Sequence, residues 1–142
     1  MVKKFYSFEL KNDLCELERL CLNCEEIGRS IGVSDKSIFE MNLALDELFT
    51  NIISYGFHDH QEHTIKISIT IEGDQLQMRI EDDGVPFNPL EAKTPDLQCD
   101  IEACKIGGLG IHLIRKLMDD IQYQRVADKN ILVLRRKMQK ED

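Results

Sequence analysis

The sequence predicts an α+β fold: a two-layer sandwich of a mostly antiparallel sheet with helices on one face. Three observations carry this. The stretch 64–71 alternates strictly, with Ile65, Ile67, Ile69 and Ile71 in one phase and Lys66, Ser68 and Thr70 in the other. The alternation resumes after Glu72-Gly73-Asp74 with Leu76, Met78 and Ile80, which is the pattern of a hairpin with one buried face. Two longer segments, 14–31 and 35–56, instead space their apolar residues as helices do, and supply the layer such a sheet needs.

Taken in order, 3–10 reads as a strand, with Tyr6, Phe8 and Leu10 alternating against Ser7 and Glu9. Asn12 or Asp13 caps the first helix, and Asp13 with Glu16 resembles a capping box. Its stripe is Leu14, Leu17, Cys21, Cys24, Ile27 and Ile31, and Gly32 is the stop. Ser34 or Asp35 caps the second helix, whose stripe is Ile38, Met41, Leu45, Leu48, Phe49 and Ile52 and which ends near Gly56. A third helix, about 110–118, brings Leu113, Ile114 and Leu117. A second hairpin joins 121–126 to 131–136 through the turn Ala127-Asp128-Lys129-Asn130.

The length of 142 residues fits a single domain, 1–142, and suffices for a hydrophobic core. Twenty-six acidic against eighteen basic residues give a formal charge of −8, which argues against direct binding to a nucleic-acid backbone. No apolar run is long enough to span a bilayer, and the first ten residues lack the apolar core of a signal peptide. With an odd number of cysteines, five, these features predict a cytoplasmic protein with free thiols and no membrane partner.

Three segments carry chemistry. Glu47 and Asn51 lie four residues apart, so both project from one helix face and offer a carboxylate and a carboxamide together. Hard cations take such oxygen ligands, and proton abstraction needs a positioned carboxylate. Asp82-Asp83-Gly84-Val85-Pro86-Phe87 puts acids at a strand end, beside a glycine that permits close approach to the backbone. Gly107-Gly108-Leu109-Gly110 puts glycines before a helix, where exposed amides and the helix dipole favour phosphate. The last two flank one long segment, 83–110, of the kind that forms active-site lids.

Other groupings are weaker. His58, His60 and His63 with Asp59 match no known metal-ligand spacing, so the tract 57–63 is expected to be a solvated loop. Cys21 and Cys24, inside an amphipathic helix, are expected to be buried free thiols; a zinc site with Cys99 and Cys104 would require knuckles the pattern lacks. His112 is expected to pack or to face solvent.

In this order the three segments resemble the N box, G1 box and G2 box of the GHKL (HATPase_c) superfamily, the ATP-binding Bergerat fold of gyrase, MutL and histidine kinases. The resemblance covers nearly the whole chain and is nearest to anti-sigma factor serine/threonine kinases of the RsbW and SpoIIAB type. It implies ATP and Mg²⁺ as cofactors, with Asn51 holding the metal and Glu47 acting as general base. It also implies that Asp82 accepts a hydrogen bond from the adenine amino group, with Gly84 and Pro86 shaping the G1 turn. Gly108, Leu109 and Gly110 would line the phosphates, 88–106 would form the ATP lid, and Lys105, Arg115 or Lys116 would meet the γ-phosphate.

The implied activity is transfer of the ATP γ-phosphate to a serine or threonine of a STAS-domain anti-sigma antagonist. A sigma factor or similar regulator would be a further partner, and the chain would form a homodimer. A nucleotide-gated binding module without kinase activity and a simple GHKL ATPase use the same residues. Two departures are visible: the last strand, beginning Asn130-Ile131-Leu132, lacks the Gly-Thr pair of many members, and no phosphoacceptor helix pair of a histidine kinase is present.

Overall fold

The computed structural model describes residues 3–91 and 108–138. Five strands form one antiparallel sheet in the order β1-β2-β3-β5-β4. They are β1 (Lys3–Lys11), β2 (Thr64–Glu72), β3 (Gln75–Asp82), β4 (Asp120–Val126) and β5 (Lys129–Lys137). Among the described residues, three helices form the second layer: α1 (Leu17–Ile31), α2 (Asp35–Gly56) and α3 (Gly108–Leu117). The expected α+β sandwich is therefore the observed one.

The two phases of each strand explain the layering. Leu10 of β1, Ile65, Ile67, Ile69 and Ile71 of β2, Leu76, Met78 and Ile80 of β3, and Leu132 and Leu134 of β5 are all buried. They form one cluster with Met41, Leu45, Leu48, Phe49 and Ile52 of α2. Apolar burial of this kind is the main driving force for joining the layers. At Gly73 the β2–β3 turn takes φ +62°, a backbone conformation for which glycine has no steric penalty.

The helix ends follow their sequence signals, with local corrections. Asp13 caps a 3-10 turn, Leu14–Glu16, by accepting from the Cys15 amide at 2.9 Å. Glu16 reaches back past it to the Lys11 amide at 2.9 Å, so the capping box is displaced onto the strand end. Asn12 instead accepts from the His63 amide at 2.8 Å, joining β1 to the entrance of β2. Leu14 lies in the 3-10 turn ahead of α1 and is exposed; within α1 the buried face is Leu20, Cys24, Ile27 and Ile31, and Cys21 falls outside that face and is exposed. The expected burial of Cys21 is thus overturned; Cys24 is fully buried, and desolvation pushes its thiol up to about 12.

Gly32 ends α1 with φ +78°, its amide bonding the carbonyls of Gly28 and Arg29. Ser34 caps α2 through the Ser37 amide at 3.1 Å. In α3 the inward residues are Ile111 and Ile114, whereas Leu113 is exposed, against the expectation that placed it in the core. The second hairpin turns on two residues, Ala127 and Asp128, at φ +51° and +64°, a type I′ geometry that matches strand twist. Lys129 and Asn130 belong to β5 and not, as expected, to the turn.

Candidate functional site

One end of the sheet gathers the three chemical segments. The C-terminal half of α2 carries Glu47 and Asn51, the C-terminal end of β3 carries Asp82, the loop after β3 packs on Gly56 of α2, and the glycine-bearing start of α3 packs on Glu47. Asn51 is 6% exposed and Glu47 half-buried, so the pair is not a solvated surface feature. The Asn51 Nδ2 group donates to Glu47 Oε1 at 3.4 Å, a long bond that leaves the carboxamide oxygen as the acceptor of Asn51. Gly110 packs directly on Glu47: a Cβ there would lie 2.0 Å from Glu47 Cδ and Oε1. Segments more than sixty residues apart in the sequence thereby meet at a carboxylate.

Asp82 is 3% exposed and accepts two hydrogen bonds on one oxygen, Oδ1, from the Gly84 amide at 2.9 Å and Asn130 Nδ2 at 3.0 Å. Burial raises its pKa above the ordinary carboxylate value, and the bonds from Asn130 and Gly84 oppose that rise. The G1 loop is drawn against α2: the Val85 amide donates to the Gly56 carbonyl at 2.8 Å, and a Cβ on Gly84 would lie 2.3 Å from that same oxygen. Pro86 is exposed, and Phe87 stands 5.6 Å from the Tyr55 ring, centroid to centroid.

The remaining expected residues divide. Gly108 and Leu109 open α3. Lys105 and most of the expected lid, 92–106, lie outside the described residues, as do Cys99 and Cys104. Arg115 Nη2 donates to the Leu90 carbonyl, tying α3 to the short 3-10 turn Pro89–Glu91. Lys116 and His112 are exposed.

Two features were missed by sequence reasoning. A cavity of about 480 Å³ opens beside the G1 loop, lined by Phe57, His63, Asp83, Gly84, Pro86 and Arg125 among others; Glu47, Asn51 and Gly110 are not in its lining. On its wall His63 bridges Asp83 at 3.0 Å and Asp59 at 2.7 Å, and stacks on Phe57 at 4.6 Å. The tract 57–63 is therefore anchored at His63, although His58 and His60 are exposed as a solvated loop requires. Among the described residues no cluster of His, Cys, Asp and Glu has the geometry to hold a metal by itself.

The second missed feature is Asn130, 4% exposed, a polar residue in the inward phase of β5 ahead of Leu132 and Leu134. That position in the alternation was its only sequence signal.

A family model described as histidine kinase-like ATPase domain matches residues 10–136. The serine-protein kinase RsbW of Listeria monocytogenes is 32% identical over 117 residues, spanning 79% of this chain and 73% of that protein. The serine-protein kinase RsbW of Bacillus mycoides is 30% identical over 141 residues, spanning 94% and 86%. Among solved structures, the RsbU and RsbW domains of a Mycobacterium tuberculosis protein superpose with a TM-score of 0.68 at 13% identity, over 95% of this chain and 32% of that one, a likeness of fold. The chain belongs to the histidine kinase-like ATPase domain family and, within it, to the RsbW-type serine/threonine-protein kinases. ATP use follows from that membership. No helix among the described residues is long and apolar enough to cross a membrane.

Proposed function

We propose that the chain transfers the γ-phosphate of ATP to a serine or threonine hydroxyl on a STAS-type anti-sigma antagonist, and that it also binds a sigma factor or similar regulator. The observation that carries this is the contact of Glu47 with both Asn51 and Gly110, which sets a carboxylate, a carboxamide and a glycine-bearing helix start around one point. Oxygen donors of this kind suit Mg²⁺, which when bound supplies charge neutralisation at the phosphates. Asn51 would hold the ion, and Gly108, Leu109 and Gly110 would present backbone amides to phosphate oxygens.

Glu47 accepts the proton of the partner hydroxyl in this reading, from a rigid helix that fixes its distance to the reacting group. Asp82 accepts from the adenine amino group and disfavours guanine, whose carbonyl occupies that place. Residues 88–106 act as the lid, with Lys105 or Lys116 as counter-charge; Arg115 is the poorer candidate because it is engaged with Leu90. The working protein is a cytoplasmic homodimer of a single domain spanning 1–142, the dimer supported by the apolar exposure of Phe5 and Leu14 on β1 and the turn that follows it.

The test is incubation with labelled ATP, with and without a co-encoded STAS-domain protein, for native chain and Glu47→Gln. Native chain is expected to label the partner. The variant should keep nucleotide affinity while transfer falls by ~10²–10⁴-fold. Full transfer by Glu47→Gln removes the base assignment. Phosphate release without labelling points to a plain ATPase, and neither activity with retained partner binding points to a nucleotide-gated binding module.

A further inference from the structure

The antiparallel register sets Asp82 of β3 opposite Asn130 of β5, and Asn130 opposite Arg125 of β4. These three residues form one row across the sheet end, beneath the G1 loop. Each holds that loop. Arg125 Nη1 donates to the Gly84 carbonyl at 2.7 Å. Asn130 Nδ2 donates to Asp82 Oδ1 at 3.0 Å and to the Val85 carbonyl at 2.8 Å. Asn130 Oδ1 accepts from the Phe87 amide at 3.2 Å and from the Tyr123 hydroxyl.

Two of these partners fix the orientation of the carboxamide. A backbone amide only donates and a carbonyl only accepts, so Oδ1 must face Phe87 and Nδ2 must face Val85. The second Nδ2 hydrogen is then directed at Asp82. All four hydrogen-bonding positions of Asn130 are filled, and the group is nearly fully buried. With the Gly84 amide also on Oδ1, both of these bonds fall on one oxygen of Asp82 and neither on Oδ2.

We propose that Asn130 is the positioning residue for base selection: it locks the Asp82 carboxylate so that Oδ2 faces the purine, and thereby sets the preference for adenine over guanine. This rests on the reading of Asp82 as the acceptor of the adenine amino group. A carboxylate held this way is pre-organised, whereas a rotating one must be ordered when the nucleotide binds. The same donated hydrogen bond favours the charged form of Asp82 and opposes the rise that burial imposes on its pKa, in the direction the acceptor role requires.

The sharp variant is Asn130→Asp, which is isosteric and keeps an acceptor for Phe87 and Tyr123 but removes both donors and sets a second carboxylate beside Asp82. Titration calorimetry with ATP and with GTP, from mildly acidic to mildly alkaline pH, is the measurement. ATP affinity is expected to fall ~10-fold or more, the scale of a lost hydrogen bond to a buried charge. The ATP-to-GTP ratio should approach one, and the pH midpoint for ATP binding should rise as the two carboxyl groups share a proton. Tyr123→Phe, which removes one donor to Asn130 and no contact to Asp82, should move ratio and midpoint less, in the same direction.

A folded Asn130→Asp with native selectivity and native pH midpoint overturns the proposal. If that variant does not fold, an unchanged ratio and midpoint in Tyr123→Phe overturn it. Native protein that binds ATP and GTP equally removes the Asp82 reading itself, and this proposal with it. Native selectivity surviving in the variant removes the role of Asn130 alone.

Discussion

Gly84→Ala should be among the most damaging single-methyl additions in the described part of this protein. The added Cβ would lie 2.3 Å from the Gly56 carbonyl oxygen and 3.0 Å from its carbon. Both are backbone atoms at the end of a packed helix, so no side-chain rotation relieves the clash. The loop must lift, which also breaks the 2.8 Å bond from the Val85 amide to that carbonyl. Overpacking costs about 1–3 kcal/mol and the lost hydrogen bond about 1 kcal/mol, giving about 2–4 kcal/mol in all.

A two-state chain of 142 residues unfolds with an entropy of about 0.3 kcal/mol/K, so Tm should fall by about 7–13 °C. Gly110→Ala is the internal control. Its Cβ would strike Glu47 at 2.0 Å, but the atoms struck are the end of a flexible side chain that can swing away. Its loss of Tm should be well under half as large. Differential scanning calorimetry of the two variants decides the matter. A Gly84→Ala Tm within about 2 °C of native, or a larger loss for Gly110→Ala, would show that the G1 loop is not seated on the α2 terminus as described.

Two further outcomes follow from the same end of the sheet. The bond from His63 to Asp59, with a second to Asp83, raises the His63 pKa above its ordinary value of 6.5. Its folded-state pKa thus exceeds the unfolded one, so the stabilisation is complete below about 6.5 and is lost as pH rises through the raised value. NMR titration should give a His63 midpoint above 6.5, and His63→Gln should flatten the pH dependence of denaturant midpoints in that window; a midpoint at or below 6.5 would refute the bridge. Ala127 holds φ +51° at a cost of about 1 kcal/mol for a residue with a Cβ, so Ala127→Asn should raise Tm by about 2–3 °C, and a fall in Tm would refute the type I′ assignment.

The fold class is legible in the amino-acid pattern, because period-two and helical apolar spacing are local properties that burial of one face imposes on each element. The stripe of α2 from Ile38 to Ile52, the alternating isoleucines of β2 and the stop at Gly32 were legible for that reason. So was the grouping of Glu47 with Asn51, since four residues on a helix return to one face whatever the surroundings. Phase was less secure where an element is short or interrupted. The 3-10 turn ahead of α1 takes Leu14 off the helical stripe, the buried face of α1 centres on Leu20 and Cys24 so that Cys21 falls outside it, and in the ten-residue α3 docking selected Ile111 over Leu113.

Which residues meet across the sheet is fixed by long-range packing. Asp82 and Asn130 are separated by 48 positions, and the intervening chain does not specify the β3–β5 register. The bridge from His63 to Asp83 spans the whole β2–β3 hairpin, and Gly110 reaches Glu47 only after α3 has packed on α2. These contacts are long-range, and neither periodicity nor spacing encodes them. They form because packing the apolar face brings the strand ends together, and where polar groups are buried there, as at Asp82 and Asn130, they must then satisfy one another.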